Sequence, residues 1–199
     1  MLANHICPVL GPSILNLCLA GNIEVNPGPD FSVCTLNIRS LNSEHSTCLS
    51  HIISGHPVDA IALSETWLSP SHSAAELIDL TPPGYELVSC PRLNGGGGGL
   101  AFLVRQHLSY SFDQIQSCSF EAMSVTIKLP ASQLSILNVY RPPDSSSYSQ
   151  PYNTFISEFH SLLTSFATTP HPFIITGDFN IHVDDPTDSH AITFKSILT

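Results

Sequence analysis

Positively charged side chains are scarce in this sequence. Lys and Arg together account for 6 of the 199 residues, against 16 Asp and Glu, and the formal net charge is −10. A protein that binds nucleic acid through phosphate contacts alone needs a basic surface, so this composition argues against that mode of binding. An acidic surplus is instead typical of carboxylates around a metal ion, or of a solvated surface. Apolar residues make up 42% of the chain, which is enough for a core and argues against a disordered protein.

Paired cysteine motifs and glycosylation sequons are also absent. The six cysteines include no C-x-x-C pair, which argues against a zinc site. Scattered single cysteines in a chain of this length are typical of a reducing compartment. The sequence contains no N-x-S/T sequon, in line with that compartment. These absences predict an intracellular protein.

The beginning of the chain lacks basic residues, the first of which is Arg39. A secretory signal has a basic n-region, and residues 1–20 have none. Their apolar run is interrupted by Pro8, Gly11 and Pro12 and is too short for a transmembrane helix. We expect no stable membrane association, and secretion through this leader is the less favoured alternative.

A proline-rich string ends this leader. Residues 20–29 read A-G-N-I-E-V-N-P-G-P, whose composition alone predicts a helix that ends in a turn. The string also resembles the 2A-like ribosome-skipping peptides, whose pattern is D-[VI]-E-x-N-P-G-P, although Asn22 stands where that pattern has Asp. The resemblance implies that the last Gly–Pro bond is left unformed in some translation events. We therefore expect an apolar leader with a 2A-like peptide at 1–29 and a folded domain at 30–199.

Strand and helix patterns alternate along the predicted domain. Strand periodicity lies at 31–37, 59–64, 85–89, 100–104 and 173–176, and a hairpin pattern lies at 120–129 and 134–140. Helices are predicted at 41–54, at 151–166 and from 189, with one helical turn inside the loop 69–83. Hairpins mixed with helices predict an α/β fold: a two-sheet β-sandwich flanked by helices, in four α/β/β/α layers.

Polar clusters follow four of the predicted buried strands, at the position where a sandwich collects its active site. Their members are Asn37, Glu65, Tyr140 with Arg141, and Asp178 with Asn180. Taken singly, each is explained as well by a surface position, a turn or a core ring. Taken together they suit phosphodiester hydrolysis. A carboxylate can bind Mg²⁺, an Asp can accept a proton from water, and amides and a phenol can hold the phosphate.

Five motifs in a fixed order resemble a known family. They read L-N-I-R-S, L-S-E-T-W-L, G-G-G-G-L-A-F-L-V-R, L-N-V-Y-R-P-P and T-G-D-F-N-I-H, and span about residues 31–185. The set resembles the endonuclease/exonuclease/phosphatase superfamily, and most of all the apurinic-endonuclease-like domain of non-LTR retrotransposons. The resemblance implies a metal-dependent endonuclease that nicks DNA in the nucleus. The implied cofactor is Mg²⁺, with Mn²⁺ as an alternative.

The same resemblance implies a role for each site residue. Glu65 matches the metal-binding Glu, and Asn37 matches the Asn that helps to position metal and water. Tyr140 matches the phosphate-contacting Tyr. Asp178 and Asn180 match the catalytic Asp-x-Asn pair.

Two departures from the family pattern concern activity. Arg39 stands where some relatives have an acidic residue. The chain ends at Thr199, before the further Asp and the S-D-H motif of the family. The resemblance therefore implies a domain incomplete at its C-terminus, weakly stable and impaired in activity. Two alternatives stay open: a phosphatase or lipid phosphodiesterase of the same superfamily, which the acidic charge favours, and a remnant without activity. The sequence leaves the oligomeric state and the target site open.

Overall fold

The computed structural model describes residues 18–20, 31–56, 58–93 and 96–198. The N-P-G-P end of the 2A-like string lies outside these residues, so the predicted break in the chain stays a prediction. The elements, in chain order, are β1 (Cys18–Ala20), β2 (Val33–Asn37), α1 (Ser43–Gly55), β3 (Ala60–Ser64), α2 (Ala74–Asp79), β4 (Tyr85–Cys90), β5 (Leu100–Arg105), β6 (Ser109–Ile115), β7 (Glu121–Lys128), β8 (Gln133–Tyr140), α3 (Tyr152–Ala167), β9 (Phe173–Asp178) and α4 (Ser189–Ser196).

The strands of the described residues form two sheets. One has five strands in the order β1-β9-β8-β7-β6, and the other has four in the order β2-β3-β5-β4. The pairs β2–β3 and β8–β9 are parallel, and every other pair is antiparallel. Each sheet thus contains one parallel pair whose two carboxyl ends lie side by side.

The central strands of the four-stranded sheet are apolar on both faces. In β5, Phe102 and Val104 pack between the two sheets, whereas Ala101 and Leu103 pack on the outer face beneath α1. All five residues of β3 are buried in the same way. A strand covered on both sides reads as a continuous apolar run, which explains why these segments show little alternation in the sequence.

Apolar clusters arrange the elements in four layers. Between the sheets, Ala62 and Phe102 lie in one cluster with Val125 and Ile136. Helices α3 and α4 cover the outer face of the five-stranded sheet through a cluster of phenylalanines. Helix α1 covers the outer face of the four-stranded sheet through Leu49. The predicted α/β/β/α sandwich is confirmed.

Polar caps set the beginnings of α1, α2 and α4. The Asn42 side chain accepts from the His45 N–H at 2.9 Å, so α1 begins at residue 43, slightly later than predicted. Ser73 and Glu76 form a capping box at the start of α2, the helical turn predicted inside the 69–83 loop. The Asp188 side chain caps α4 by accepting from the His190 N–H at 2.8 Å.

Several strands differ from the sequence prediction, β6 and β9 among them. β6 was not predicted: none of its side chains is fully buried, and only Tyr110 and Ile115 pack against the core clusters. It forms through backbone pairing with β7, which the sequence pattern does not reveal. β9 extends to Asp178, two residues past its predicted end, because parallel pairing with β8 continues as far as the Tyr140–Asp178 register.

Strand β1 lies on the edge of the five-stranded sheet. It pairs antiparallel with β9, with Cys18 opposite Ile175. These residues fall inside the predicted leader, so the boundary between residues 29 and 30 stays a prediction.

No helix in the described part of the chain has the length and apolarity that crossing a membrane requires.

Phe159 is the centre of the phenylalanine cluster and supports a stability prediction. Its ring is fully buried and lies 5.4 to 6.1 Å, centroid to centroid, from those of Phe120, Phe155, Phe179 and Phe194. Phe159→Ala should lower the free energy of unfolding by about 3–5 kcal/mol, because it leaves a cavity among these rings.

Urea denaturation followed by circular dichroism measures this loss. The matched control is Phe112→Ala on β6, where the ring is 52% exposed and the cost should stay below about 1 kcal/mol. Equal losses for the two variants would contradict the packing described for α3.

Candidate active site

The polar clusters predicted after the buried strands meet at one end of the sandwich. Asn37 ends β2 opposite Ser64, the last residue of β3. Tyr140 ends β8 opposite Asp178, the last residue of β9. All of the side chains proposed for the site from the sequence lie in this region, and hydrogen bonds connect Asn37, Glu65, Asp178 and Asn180.

The Asn37 amide joins the two sheets. Its Nδ2 donates to Glu65 Oε1 at 2.8 Å and to Asp178 Oδ2 at 2.7 Å, and its Oδ1 accepts from the Arg39 N–H at 3.2 Å. Glu65 follows a strand of one sheet, whereas Asp178 ends a strand of the other. In this arrangement Asn37 presents nitrogen, not oxygen, to the two carboxylates.

Tyr140 lies beside these carboxylates and is 5% exposed. Burial raises the pKa of its hydroxyl, and the nearby Glu65 raises it further, whereas Arg92 lowers it. The hydroxyl lies near the Glu65 carboxylate. Tyr140 therefore stays protonated and acts as a hydrogen-bond donor at neutral pH.

Asn180 fixes the turn that follows β9. Its backbone N–H donates to Asp178 Oδ1 at 3.1 Å, and its Nδ2 donates to the Arg141 carbonyl at 2.7 Å. Arg141 is buried, donates back to the Asn180 carbonyl at 3.2 Å, and forms an ion pair with Asp144. Both oxygens of the Asp178 carboxylate are therefore oriented, one by Asn37 and one by Asn180.

Strained backbone is concentrated in the same loops. Among the described residues, the non-glycine residues with positive φ are Arg39 (46°), Ser40 (89°), Glu65 (53°), Trp67 (54°) and Asn180 (49°). All of them follow β2, β3 or β9 at the site. Such conformations cost roughly 1–3 kcal/mol each and persist only where the surroundings hold them.

Backbone hydrogen bonds between the loops supply that restraint. The Ser40 N–H donates to the Glu65 carbonyl at 2.8 Å, and the Thr66 N–H donates to the Gly99 carbonyl at 3.1 Å. The loops after β2 and β3 and the segment before β5 thus continue the sheet pairing beyond the strand ends. They hold Glu65 in its left-handed conformation.

Arg92 and Glu121 belong to the site and were not predicted. Glu121 lies opposite Tyr140 in the β7–β8 ladder. Its carboxylate forms an ion pair with Arg92 and accepts from the Gly99 N–H at 2.6 Å. Burial raises the pKa of Glu121, and Arg92 opposes that effect. The only sequence signal for this pair was Glu121, a charged residue at the start of an apolar strand. Its partner Arg92 lies 29 residues away in the sequence.

The donor set fits a hard divalent cation. Glu65 and Asp178 contribute two carboxylates that flank one amide. Arg92 does not neutralise them, because it forms its ion pair with Glu121. Among the residues that the structure describes, no group of three or more His, Cys, Asp or Glu converges. Two carboxylates with few further protein ligands suit Mg²⁺, which keeps several of its waters.

The fold and the site together define a class: an α/β sandwich with an acidic, oxygen-rich site at the strand ends. The chain belongs to the Endonuclease/Exonuclease/phosphatase family, because the sequence model of that family matches residues 34–196. Members of this family are hydrolases that act on phosphodiester bonds, and they generally use divalent metal ions. The family predicted from the five motifs is confirmed.

Solved structures share this fold. The AP endonuclease LMAP from Leishmania major is 15% identical, with a TM-score of 0.61 over 84% of this chain and 65% of that one. The endonuclease domain of TRAS1, a telomere-specific non-LTR retrotransposon, is 14% identical, with a TM-score of 0.60 over 85% and 71%. A mannosyl-6-phosphatase of Bacteroides thetaiotaomicron VPI-5482 is 15% identical, with a TM-score of 0.61 over 84% and 70%.

At these identities the likeness shows the fold alone. This chain spans just under two thirds of the length of the Leishmania protein. A comparison with curated protein sequences finds no match.

Gly177 precedes Asp178 and supports a prediction about the site. Its φ is +132°, and a Cβ built there would lie 1.9 Å from the Val139 carbonyl oxygen. Gly177→Ala should therefore lower the free energy of unfolding by about 2–4 kcal/mol, since backbone strain and overpacking add.

Gly55→Ala is the matched control, measured by the same urea denaturation. A Cβ at Gly55 would meet nothing within 4 Å. That substitution should change stability by no more than about 1 kcal/mol. A tolerated Gly177→Ala would disprove the close approach of β9 to β8.

Proposed function

We propose that this protein is a metal-dependent phosphodiesterase that nicks DNA, with Mg²⁺ as its cofactor and Mn²⁺ as an alternative. The observation that carries the proposal is the Asn37 amide, which bridges the carboxylates of Glu65 and Asp178 beside the Tyr140 hydroxyl. This set combines a cation site, a proton acceptor and a hydrogen-bond donor at one end of the fold.

Glu65 would hold the cation, with Asn37 as its neighbour. Two carboxylates without a paired cationic side chain leave negative charge that a divalent ion can neutralise. Rotation of the Asn37 amide about its last side-chain bond would turn Oδ1 toward that ion. The bound ion would supply Lewis-acid stabilisation of charge on the phosphate oxygens.

Asp178 is the proposed proton acceptor. Water attacks the phosphorus atom and its proton passes to the Asp178 carboxylate, while the bond from phosphorus to the leaving oxygen breaks and that oxygen takes up a proton from solvent. The carboxylate is already aligned by donors from Asn37 and from the Asn180 N–H. Alignment of this kind lowers the entropy cost of the step.

Tyr140 would donate its hydroxyl hydrogen to a non-bridging phosphate oxygen. Its raised pKa keeps that proton in place through the neutral and mildly alkaline range. The hydroxyl lies near the Glu65 carboxylate, and a phosphate oxygen bound beside it would serve as its acceptor.

DNA is the proposed substrate because two kinds of neighbour with this fold are nucleases by name, an AP endonuclease and a retrotransposon endonuclease domain. The five ordered motifs also resemble the retrotransposon branch, for which the site of action would be nuclear. A phosphatase or lipid phosphodiesterase is the second candidate. It is favoured by the net charge of −10 and by the phosphatase among the structural neighbours.

Relaxation of supercoiled plasmid tests the proposal. In Mg²⁺ the protein should convert the plasmid to the nicked form, and EDTA should abolish the conversion. Asp178→Asn should lower the rate by about 100-fold or more, because it removes the proton acceptor. Asp113→Asn, on the exposed strand β6, is an isosteric control that should nick at the parent rate.

Hydrolysis of inositol phosphates or sugar phosphates without plasmid nicking would instead favour the second candidate. An unchanged rate for Asp178→Asn would remove Asp178 from the mechanism.

Metal binding can be measured independently of turnover. Millimolar Mg²⁺ should raise the melting temperature of the protein, because an ion that binds only the folded state stabilises it. Glu65→Gln should remove most of that rise, whereas Asp113→Asn should retain it. A rise of the same size in Glu65→Gln would show that the cation binds elsewhere. Metal binding without hydrolysis of any phosphate ester would favour a remnant without activity.

A further inference from the structure

Two exposed aromatic rings flank the glycine-rich segment beside the candidate site. Among the described residues, the exposed aromatic side chains are Trp67, Phe112 and Tyr148, at 50%, 52% and 41% exposure. Phe112 lies on β6. Trp67 and Tyr148 both contact residues 96–99. Two exposed rings on one segment beside a site form an apolar patch of the kind that marks a binding surface.

Trp67 is held in a strained conformation two residues after Glu65. Its φ is 54°, and its backbone N–H donates to the Gly98 carbonyl at 2.9 Å. The Trp67 indole lies beside Gly97: a Cβ built at that glycine would be 3.6 Å from the indole Nε1. The backbone therefore fixes this ring at the rim of the site, although half of its surface is in solvent.

Tyr148 lies on the other side of the same segment. Its hydroxyl accepts from the Gly96 N–H at 3.3 Å. The Arg92 guanidinium lies 4.9 Å from the Tyr148 ring centroid and 5.8 Å from that of Tyr140. Arg92 thus connects this ring to the phenol that we propose contacts phosphate.

Cationic side chains that could bind phosphate are almost lacking around the site. Arg92 is paired with Glu121, and Arg141 is buried and paired with Asp144. Among the described residues, this leaves Arg39, which is exposed, as the cation near the site that forms no ion pair. Binding of a duplex through its phosphates depends on several such contacts.

We propose that Trp67 and Tyr148, with the glycine-rich residues 96–99 between them, form a stacking surface for an unpaired nucleobase next to the scissile phosphate. Stacking then contributes more to binding than phosphate neutralisation does, because bases stack on aromatic rings whatever the net charge of the protein. Unpaired or locally opened strands are therefore the preferred substrate. This inference rests on the proposed function, since it assumes a nucleic-acid substrate at that site.

The sequence offers a direct probe, because Trp67 is the only tryptophan in the chain. An oligothymidylate of about 12 nucleotides, added in EDTA to prevent cleavage, should quench the tryptophan fluorescence as a base stacks on the indole. An abasic strand of equal length carries the same phosphate charge without bases, and it should leave the fluorescence nearly unchanged. The blunt duplex should bind more weakly than the single strand.

Fluorescence anisotropy of labelled oligothymidylate measures the contribution of each ring. Trp67→Ala should weaken binding by roughly 5- to 100-fold, and Tyr148→Ala should weaken it less, since Arg92 already covers part of that ring. Trp67→Phe should restore part of the loss, which a merely structural defect would not allow. Phe112→Ala is the matched control and should bind as the parent protein does.

Salt dependence separates stacking from phosphate contacts. One available cation predicts a slope of about −1 for the logarithm of the binding constant against that of the salt concentration. Equal binding of the abasic strand, no effect of Trp67→Ala, or a slope steeper than about −3 would each overturn the inference.

The two proposals fail separately. Plasmid nicking that depends on Glu65 but not on Trp67 would leave the proposed function standing without the stacking surface. Quenching by oligothymidylate but not by the abasic strand, with no metal-dependent cleavage, would leave the stacking surface without the proposed function. An absence of any quenching by oligothymidylate would overturn the stacking surface.

Discussion

One amide group connects the two sheets at the point where their strands end. Asn37 donates to a carboxylate from each sheet, and these two hydrogen bonds span 28 and 141 residues of sequence. Without a donor between them, two carboxylates in partly buried surroundings repel each other and lose solvation. The amide therefore allows Glu65 and Asp178 to flank one donor before any cation binds.

Strain in those loops depends on the sandwich beneath them. Left-handed backbone at Glu65, Trp67 and Asn180 is unfavourable in an isolated peptide. Here it is offset by hydrogen bonds that extend the sheet pairing, and by buried strands such as β3 and β5 on which the loops rest. Stability in the core is thus used to hold side chains in directions that they would not otherwise adopt.

The two arginines packed against the site have internal partners. Arg92 and Arg141 hold carboxylates and carbonyls around the site, so little positive charge faces solvent there. In the composition, the shortage of positive charge argues against nucleic-acid binding through phosphates. In the structure, the same shortage is compatible with binding through bases, because the exposed rings of Trp67 and Tyr148 are suited to stacking.

Short-range patterns in the sequence predicted most of the fold and most residues of the candidate site. Apolar runs revealed strands buried on both faces, helix periodicity revealed α3, and polar residues at strand ends revealed Asn37, Glu65, Tyr140, Asp178 and Asn180. The tertiary structure alone decided what depends on distant partners. β6 has no fully buried side chain and forms through pairing with β7, and the Arg92–Glu121 pair joins segments with no common pattern. The conformation of Trp67 was likewise decided there, because a left-handed residue is specified by the hydrogen bonds around it and not by its own side chain.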